Sequence, residues 1–412
     1  MSRAPLIVVS AFAVTVAGGG LLSSADWPQW RGPARDGMAA PGPLRAAWPA
    51  ALTPAWKVGV GIGHSSPVVA GGKVFLFSRQ GEEEVLESFD RATGRRAWRQ
   101  AYAAPYTINS AAFSHGKGPK STPVVSAGRV FTFGIGGILC AVDAESGRVL
   151  WRKDFAGQFP ATSPIYGAAQ SPVVDGGRVI VHVGGTGKGA LTAFDAATGT
   201  AAWAWTGDGP AYGSPIVADI AGRRQVVTFT DSMLVGVSAD AGQLLWKLPF
   251  STSYDQNAVT PIVSGDTIIY SGLDHPVTAV RIVRRGAGFA ATPLWENAEI
   301  AAYMSSPVLV GGRLFGLSHK RKGQLFSLDA ASGRTVWLAE GRQGENAALA
   351  AAGGALLALT TDGELLVIDL AAPAFKVVRR YPAADNPPWA HLAVVEEGVL
   401  VKDAQTLSLL KF

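Results

Sequence analysis

The sequence predicts an all-β protein, an eight-bladed β-propeller whose blades are four-stranded antiparallel sheets. Its composition favours short strands and tight turns, since 50 Gly, 25 Pro and 12 Trp stand against 4 Met. A Ser/Thr-Pro signature recurs about 48 residues apart on average, a period typical of repeat folds. After most copies comes an Asp, a Gly four residues later and a Trp four beyond that. The prolines of the signature are Pro67, Pro123, Pro172, Pro215, Pro261 and Pro307.

Each repeat encodes four strands in a fixed order. SSPVVAGGKVFLF at 65–77 contains an apolar stub, a Gly-rich hairpin turn and an alternating strand. A further apolar strand ends at an Asp, and a turn through Gly leads to a strand that carries Trp, as in DRATGRRAW at 90–98. Four-stranded sheets at this spacing are typical of propeller blades around a central channel.

Two weaker copies complete the ring after six full repeats. Residues 345–378 keep both turns but lack the closing Trp, and residues 389–412 supply three strands. Near the start, TPAWKV at 53–58 is a lone closing strand with Trp56 in the Trp position. We expect this strand to complete the last blade and so to join the two ends of the propeller, which spans 53–412.

We interpret the Asp, Gly and Trp positions as blade-docking residues, with ligand contact as the alternative. The Gly suits a turn with positive φ, and the Asp accepts turn N–H groups. The Trp buries its ring between neighbouring sheets while its N–H reaches a carbonyl across the gap. The set comprises Trp56, Asp90, Gly94, Trp98, Asp143, Gly147, Trp151, Asp195, Gly199, Trp203, Gly242, Trp246, Trp295, Asp329, Gly333 and Trp337.

The N-terminal residues predict export. Residues 1–25 combine Arg3, an apolar run at 6–17 and small residues at 23–25, which indicates a signal peptide. The alternative is an uncleaved anchor, although the run is short for a membrane span. The extension at 26–52 opens with DWPQWRGPARDG, and we expect Trp27 and Trp30 to pack it against the side or base of the propeller. The protein is then periplasmic or secreted, monomeric, and without an integral membrane span after cleavage.

Cysteine content and charge exclude several classes. Cys140 is the one cysteine of the chain, so there is neither an internal disulfide nor a lipid-accepting Cys after the signal. We expect it to be a buried strand residue, with a reactive thiol as the alternative. The net charge of +5 is scattered along the chain, which argues against nucleic acid as a partner because that needs many phosphate contacts on one surface.

The residues before each innermost strand form the candidate binding site, because they lie at the mouth of the channel. They are more polar and aromatic than the strands that follow, and the long loop at 106–123 adds basic residues. They predict a cationic, aromatic-lined pocket for an anionic or sugar-like ligand. The alternative is a set of polar loop ends that bond to one another and to water. The candidates are His64, His115, Lys117, Lys120, Tyr166, Tyr212, Tyr254, Asn257, His319, Lys320, Asn346, Trp389 and His391.

The sequence gives little support for a metal site, a phosphate-binding loop or a serine hydrolase, and no catalytic residue is predicted. His64, His115 and His391 lack the close spacing of metal ligands. GGTGKG at 184–189 departs from the phosphate-binding loop and is expected to be a β-turn. Ser65 and Ser66 beside His64 lack the G-x-S-x-G elbow of a hydrolase.

The Asp-x-x-x-Gly-x-x-x-Trp repeat resembles the pyrroloquinoline-quinone (PQQ) type propeller repeat, from about Thr53 to Phe412. That repeat occurs in quinoprotein alcohol dehydrogenases and in the BamB outer-membrane assembly lipoproteins. The motif WPQWRGP at 27–33 is similar to the opening of exported PQQ-like propeller proteins. The resemblance implies the eight-bladed fold, and it leaves enzyme and scaffold roles both open.

For an enzyme, the resemblance implies a PQQ held between a Trp and a disulfide of adjacent cysteines. A Ca²⁺ bound by Glu and Asn and an Asp base complete that site. A chain with one Cys lacks the disulfide, and no segment offers the acidic cluster. No cofactor is therefore predicted, and PQQ in a divergent site stays open. We expect a non-enzymatic BamB-like scaffold that binds a protein or small ligand of the cell envelope at its channel face, with a quinoprotein-type oxidoreductase as the alternative.

Overall fold

Eight four-stranded antiparallel sheets make up the propeller, which confirms the predicted fold. The computed structural model describes residues 26–40, 48–158, 163–286 and 288–412, so the predicted signal peptide lies outside it. Helical structure in these residues is limited to three 3-10 turns at Ser110–His115, Ser253–Asp255 and Lys320–Lys322. None of the helices in the described ranges has the length and apolar character to cross a membrane.

The first four blades run from 68 to 249. Blade 1 contains β2 (Val68–Ala70), β3 (Lys73–Gln80), β4 (Glu83–Asp90) and β5 (Arg96–Ala103). Blade 2 contains β6 (Val124–Ser126), β7 (Arg129–Phe133), β8 (Ile138–Asp143) and β9 (Val149–Asp154). Blade 3 contains β10 (Val173–Asp175), β11 (Arg178–Gly185), β12 (Lys188–Asp195) and β13 (Ala201–Trp205). Blade 4 contains β14 (Ile216–Ile220), β15 (Arg223–Phe229), β16 (Met233–Ser238) and β17 (Leu244–Pro249).

The remaining blades include the split one. Blade 5 contains β18 (Ile262–Ser264), β19 (Thr267–Gly272), β20 (His275–Arg285) and β21 (Gly288–Asn297). Blade 6 contains β22 (Val308–Val310), β23 (Arg313–Ser318), β24 (Gln324–Asp329) and β25 (Thr335–Leu338). Blade 7 contains β26 (Ala347–Ala352), β27 (Ala355–Thr360), β28 (Glu364–Asp369) and β29 (Val377–Pro382). Blade 8 contains β30 (Ala393–Val395), β31 (Gly398–Lys402), β32 (Thr406–Lys411) and the N-terminal β1 (Thr53–Gly59).

The ring closes through blade 8. Strand β1 pairs antiparallel with β32, with Trp56 opposite Leu409. The first strand of each blade lies beside the first strands of its neighbours, so these strands surround the channel. The second and third strands are buried because sheets cover both of their faces; β3, for example, is buried at every position from Val74 to Arg79. The hydrophobic core therefore lies between the blades.

The docking tryptophans join each blade to the next. Trp56 donates its indole N–H to the carbonyl of Arg91, one residue past Asp90, at 2.8 Å. Among the described residues, four more indoles reach the matching carbonyl of the following blade: Trp98 to Ala144, Trp151 to Ala196, Trp203 to Ala239 and Trp295 to Ala330, at 3.0–3.2 Å.

The Gly of the following blade packs on the same ring. Gly94 has φ +69°, and a Cβ there would come within 2.6 Å of the Trp56 indole. Gly147, Gly199, Gly242 and Gly333 meet Trp98, Trp151, Trp203 and Trp295 in the same way. The Asp positions cap these turns: Asp143 accepts from the backbone N–H and hydroxyl of Ser146 at 2.8 and 2.6 Å. Asp90, Asp195 and Asp329 make the equivalent bonds to Thr93, Thr198 and Ser332.

Two tryptophans depart from this pattern where the next blade lacks the Asp-Gly turn. Trp246 donates instead to Gln225 Oε1 of its own blade at 2.7 Å, because the long β20–β21 hairpin replaces the turn in blade 5. Trp337 packs on Phe375, with ring centroids 5.3 Å apart. Its buried indole N–H has no hydrogen-bond partner among the described residues.

The Ser or Thr before the signature proline forms a hydroxyl belt around the channel. We define this belt as Ser66, Thr122, Ser171, Ser214, Thr260 and Ser306. The amides of Ser66, Thr122, Ser171 and Thr260 each donate to the belt hydroxyl of the next blade at 2.9–3.1 Å. The amide of His391 donates to Ser66 Oγ at 2.8 Å, which continues the belt across the split blade.

The N-terminal segment 26–39 lies inside the central channel, where the sequence predicted packing on the side or base. Trp27 exchanges two backbone hydrogen bonds with Val69 of the innermost strand of blade 1. Gly37 and Ala39 likewise bond the backbone of Ala351 in blade 7. Each innermost strand has one edge that faces the channel and pairs with no other strand. The N-terminal segment forms hydrogen bonds with some of the backbone N–H and C=O groups on these edges.

Two buried arginines fix this segment. Arg35 donates to the carbonyls of Ser171, Pro172 and Pro215 at 3.1, 2.9 and 2.8 Å. Arg31 donates to the carbonyl of Pro307. Arg31 and Arg35 are 1% and 3% exposed, and backbone carbonyls of blades 3, 4 and 6 accept hydrogen bonds from their guanidinium groups. Nε and Nη1 of Arg31 have no partner among the described residues. We call residues 26–39 the channel plug.

Candidate functional site

A cavity of about 180 Å³ opens at the channel mouth above the plug. Its side chains come from the loops that precede the innermost strands, from the hydroxyl belt and from the plug itself. The larger lining side chains are Trp30, His64, His115, Lys120, Tyr166, Tyr212, Gln256, Met304, Asn346, Trp389 and His391.

Trp30 of the plug forms the floor of this cavity. Its indole N–H donates to the belt hydroxyl of Thr260 at 2.9 Å, and its ring meets His391 edge-on. Because the plug occupies the channel below, the cavity is open at the channel mouth and closed at its inner end.

A close approach of two glycines sets His64 beside Lys120. A Cβ on Gly118 would lie 2.4 Å from the Cα of Gly63, which itself has φ +133°. The His64 amide then donates to the carbonyl of Pro119 at 2.8 Å. The 3-10 turn at 110–115 begins after Asn109, whose side chain accepts from the amide of Ala111, and it ends with His115 at the cavity.

Aromatic rings line one wall of the cavity. His64 stacks on Trp389, with centroids 5.6 Å apart and planes 21° from parallel. His115 meets Trp389 and Tyr166 edge-on at 5.8 and 5.2 Å. Tyr166 in turn meets Tyr212 at 5.5 Å. Edge-to-face and offset contacts of this kind hold rings in fixed orientations.

Hydrogen bonds hold the tyrosines of this aromatic wall. Gln256 donates from Nε2 to the hydroxyl of Tyr166 at 2.6 Å and accepts at Oε1 from the hydroxyl of Tyr303. The hydroxyl of Tyr212 accepts from the amide of Tyr166 at 3.4 Å. Burial raises the pKa of Tyr212, so this phenol stays protonated at neutral pH.

The basic groups of the cavity are desolvated. Burial lowers the pKa of the Lys120 ammonium to about 8. Burial and, next, the charge of Lys120 lower the pKa of His64 to about 3. Burial and then Arg31 lower the pKa of His391 to about 4. At neutral pH, Lys120 is therefore the charged group of the lining, and His64 and His391 are neutral.

Eight of the thirteen predicted binding residues line the cavity. They are His64, His115, Lys120, Tyr166, Tyr212, Asn346, Trp389 and His391. Each lies in a loop that leads into an innermost strand or is folded over that loop, which is the position on which the prediction depended.

The other five predicted residues lie outside the cavity. Lys117 pairs with Glu82 at 3.6 Å, and Tyr254 is 73% exposed. Asn257 is buried and donates to the carbonyls of Thr230 and Asp231. His319 bonds Asp274 and the Ala301 carbonyl, and Lys320 donates to the Ala298 carbonyl. The last two follow the second strand of blade 6, one strand further from the channel.

Sequence reasoning missed Trp30, Gln256 and the belt hydroxyls at 171, 214 and 306. The hydroxyls carried a signal, because they belong to the repeated Ser/Thr-Pro signature. Gln256 lies beside Asn257, which was selected instead. Trp30 lies near the N-terminus, and its contacts Thr260 and His391 are more than 200 residues away in sequence. Patterns among neighbouring residues cannot predict such contacts.

The cavity lining does not fit the quinone site of the resembling enzymes. Among the described residues, no Asp or Glu side chain lines the cavity. Nowhere in the described ranges do three or more His, Cys, Asp or Glu side chains form a group suited to a metal ion. Cys140 is buried in β8 within blade 2. A cavity of comparable size in another protein accepts benzene, and the fused rings of PQQ are much larger than that.

Comparison with known proteins identifies relatives of this chain in sequence and in fold. A family model described as outer membrane protein assembly factor BamB matches residues 81–339. BamB of Shewanella oneidensis is 28% identical over 259 residues, which is 58% of this chain and 62% of that protein. BamB of Yersinia pestis is 24% identical over 296 residues, 70% of this chain and 61% of that protein. The chain thus spans about three fifths of the length of these relatives.

Solved structures share the fold. The crystal structure of BamB from Moraxella catarrhalis has a TM-score of 0.63 at 15% identity, covering 88% of this chain and all of that one. Quinohemoprotein alcohol dehydrogenase from Comamonas testosteroni has a TM-score of 0.67 at 15% identity, covering 94% of this chain and 80% of that one. At these identities the likeness is one of fold alone.

Proposed function

This chain belongs to the family of outer membrane protein assembly factor BamB, and on that premise we propose that it is a non-enzymatic scaffold of the cell envelope. In this proposal it is periplasmic and binds a partner protein of outer membrane assembly. The contact surface is the loop face around the channel mouth.

The observation that carries the proposal is the distribution of exposed apolar side chains. Four large hydrophobic residues are exposed in the described ranges, and three of them lie on the loops of the channel mouth. These are Ile62, Phe113 and Tyr254, which are 44%, 65% and 73% exposed; the fourth, Leu294, is on the outer strand β21. The three belong to the loops of blades 1, 2 and 5, and exposed apolar side chains on one face of a protein support a contact surface there.

Site-specific photo-crosslinking in cells tests the proposal. A crosslinking residue at position 113 is expected to capture an outer membrane assembly protein, identified by mass spectrometry. The matched control is position 294, where an apolar side chain is also exposed, at 40% against 65% for Phe113, but lies on an outer strand, and it is expected to capture little. Equal products from the two positions, or none from 113, would contradict the proposed surface.

The quinoprotein alternative is tested by adding PQQ and Ca²⁺ to the purified protein and measuring dye-linked alcohol oxidation. A scaffold gives no turnover. Tight PQQ binding together with turnover would contradict the scaffold proposal.

A further inference from the structure

Among the described side chains that line the cavity, Lys120 holds the one buried nitrogen or oxygen atom without a hydrogen-bond partner. Its Nζ atom is buried and makes no hydrogen bond to any described residue. The neighbouring Lys402 differs, because its Nζ donates to the carbonyls of Gly63 and Asp403 at 2.7 and 2.9 Å. A buried charge without a partner is costly. Lys120 therefore has the chemistry of half an ion pair.

The charges that face Lys120 do not supply the other half. His64 and His115 line the same cavity, and burial and, next, the charge of Lys120 lower the pKa of both imidazoles. Glu345 acts on His115 from the adjoining loop, but it is not among the lining residues. The cavity is thus cationic, which favours an anion inside it.

The walls and the volume of the cavity limit the size and shape of an anion that could bind in it. Trp30 forms the floor, Trp389 and Tyr166 line the sides, and Met304 adds an apolar contact. A space of about 180 Å³ is similar to engineered cavities that accept benzene. Aromatic walls in offset and edge contacts favour a flat ring over a branched chain.

We propose that this cavity binds a small ring compound bearing one carboxylate, with the ammonium of Lys120 as its counter-ion and the indole of Trp30 beneath the ring. The inference goes beyond the scaffold role and does not depend on it, because Phe113 and Ile62 of the proposed contact surface do not line the cavity. A carboxylate could come from a free metabolite or from the end of a peptide chain. The closed floor and small volume favour the free compound.

Isothermal titration with benzoate and with benzamide tests the charge requirement, since the two probes share shape and differ in charge. Wild-type protein is expected to bind benzoate with a millimolar dissociation constant and to bind benzamide at least tenfold more weakly. Lys120→Met is expected to weaken benzoate binding at least tenfold. Lys117→Met is the matched control, because it removes an equal charge from the same loop, and it is expected to bind like wild type.

Three results would overturn the inference. They are equal binding of benzoate and benzamide, unchanged benzoate binding by Lys120→Met, and an equal loss in Lys117→Met. A tripeptide ending in a free phenylalanine carboxylate separates the two ligand sources. Weaker binding of this tripeptide than of benzoate supports the free compound, and tighter binding would assign the site to a chain end instead. Crosslinking from position 113 in Lys120→Met shows separately whether the scaffold surface functions.

Discussion

The indole of Trp30 meets the imidazole of His391 edge-on, with ring centroids 5.3 Å apart. One residue belongs to the channel plug and the other leads into blade 8. Trp30 also bonds Thr260 of blade 5, so a single side chain links blades 5 and 8, which are three positions apart in the ring. The floor of the candidate site is therefore in direct contact with the split blade that closes the ring.

Replacing Trp30 by Ala is expected to lower the free energy of unfolding by about 3 kcal/mol, since a large ring is removed and a void is left. Trp30→Phe keeps a ring and loses the bond to Thr260, so a loss of about 1 kcal/mol is expected. Urea denaturation measures both. If the two variants lose the same amount, the packing role assigned to the ring is wrong.

The docking contact predicts different costs for two glycines of blade 2. Gly147 and Gly128 have nearly equal φ, +75° and +73°, but a Cβ meets the Trp98 ring at 2.7 Å only at Gly147. Ala at either position is strained by about 1 kcal/mol because of the positive φ. Gly147→Ala is expected to lose about 1–3 kcal/mol more through overpacking. Equal melting temperatures for the two variants would argue against docking through this contact.

The indole N–H groups predict a second contrast. Trp56→Phe breaks the 2.8 Å bond to Arg91 and is expected to lose about 1 kcal/mol from that bond. Trp337→Phe removes an N–H that has no partner among the described residues, so its hydrogen-bond loss is near zero. Urea titration of both variants gives the comparison. A larger loss for Trp337→Phe than for Trp56→Phe would contradict it.

Glu84 predicts a pH dependence of stability. Burial between blades 1 and 2 raises the pKa of this carboxyl to about 6, although the amide of Ile135 and the hydroxyl of Tyr102 donate to it. The unfolded chain loses this proton at lower pH than the folded one. The Glu84 contribution is therefore fully present below about pH 4.5 and falls by about 2 kcal/mol as pH rises through 6.

Glu84→Gln keeps an acceptor oxygen for the amide of Ile135, places an amide NH2 that can donate to the hydroxyl of Tyr102, and removes the titration. The difference in unfolding free energy between variant and wild type is expected to shift in favour of the variant between pH 4.5 and 7. Other carboxyls are common to both proteins and cancel. A constant difference across this range would show that Glu84 does not titrate as stated.

The buried ammonium of Lys120 is expected to lower the stability of the folded protein when no anion pairs with it. Its folded pKa of about 8 lies below the ordinary lysine value, so the charge opposes folding at neutral pH. Lys120→Met is expected to raise the free energy of unfolding by up to about 3 kcal/mol at pH 7. The gain should shrink as pH rises from 8 toward 10.5. Thermal melts at pH 7 and pH 10 measure it, and a destabilised variant at pH 7 would contradict the desolvation argument.

The blades could be predicted from the sequence because their determinants are local. Each turn, alternating strand and docking Trp recurs within one repeat, and the unpaired strand around Trp56 indicated the split blade. The plug could not be predicted. Its hydrogen bonds join Trp27 to Val69 and Ala39 to Ala351, contacts that depend on the assembled ring rather than on any neighbouring residue.

The site was predictable to the extent that position in the repeat determines distance from the channel. His64, Lys120 and Trp389 were found because they precede innermost strands. Lys117 is close to Lys120 in sequence, but it forms an ion pair with Glu82 and lies outside the cavity. Whether a side chain of this loop lines the cavity thus depends on its ion-pair and hydrogen-bond partners. Those partners are far away in sequence and become neighbours only in the folded protein.

The split blade also determines the order in which the chain can complete its fold during synthesis. The channel plug and β1 leave the ribosome before any blade exists to receive them, and β32, the partner of β1, is the last of the described strands to emerge. Until then the plug has no channel and Trp56 has no sheet. The native state is therefore reached only after the whole propeller has been made, and exposed blade edges must be protected from aggregation in the meantime.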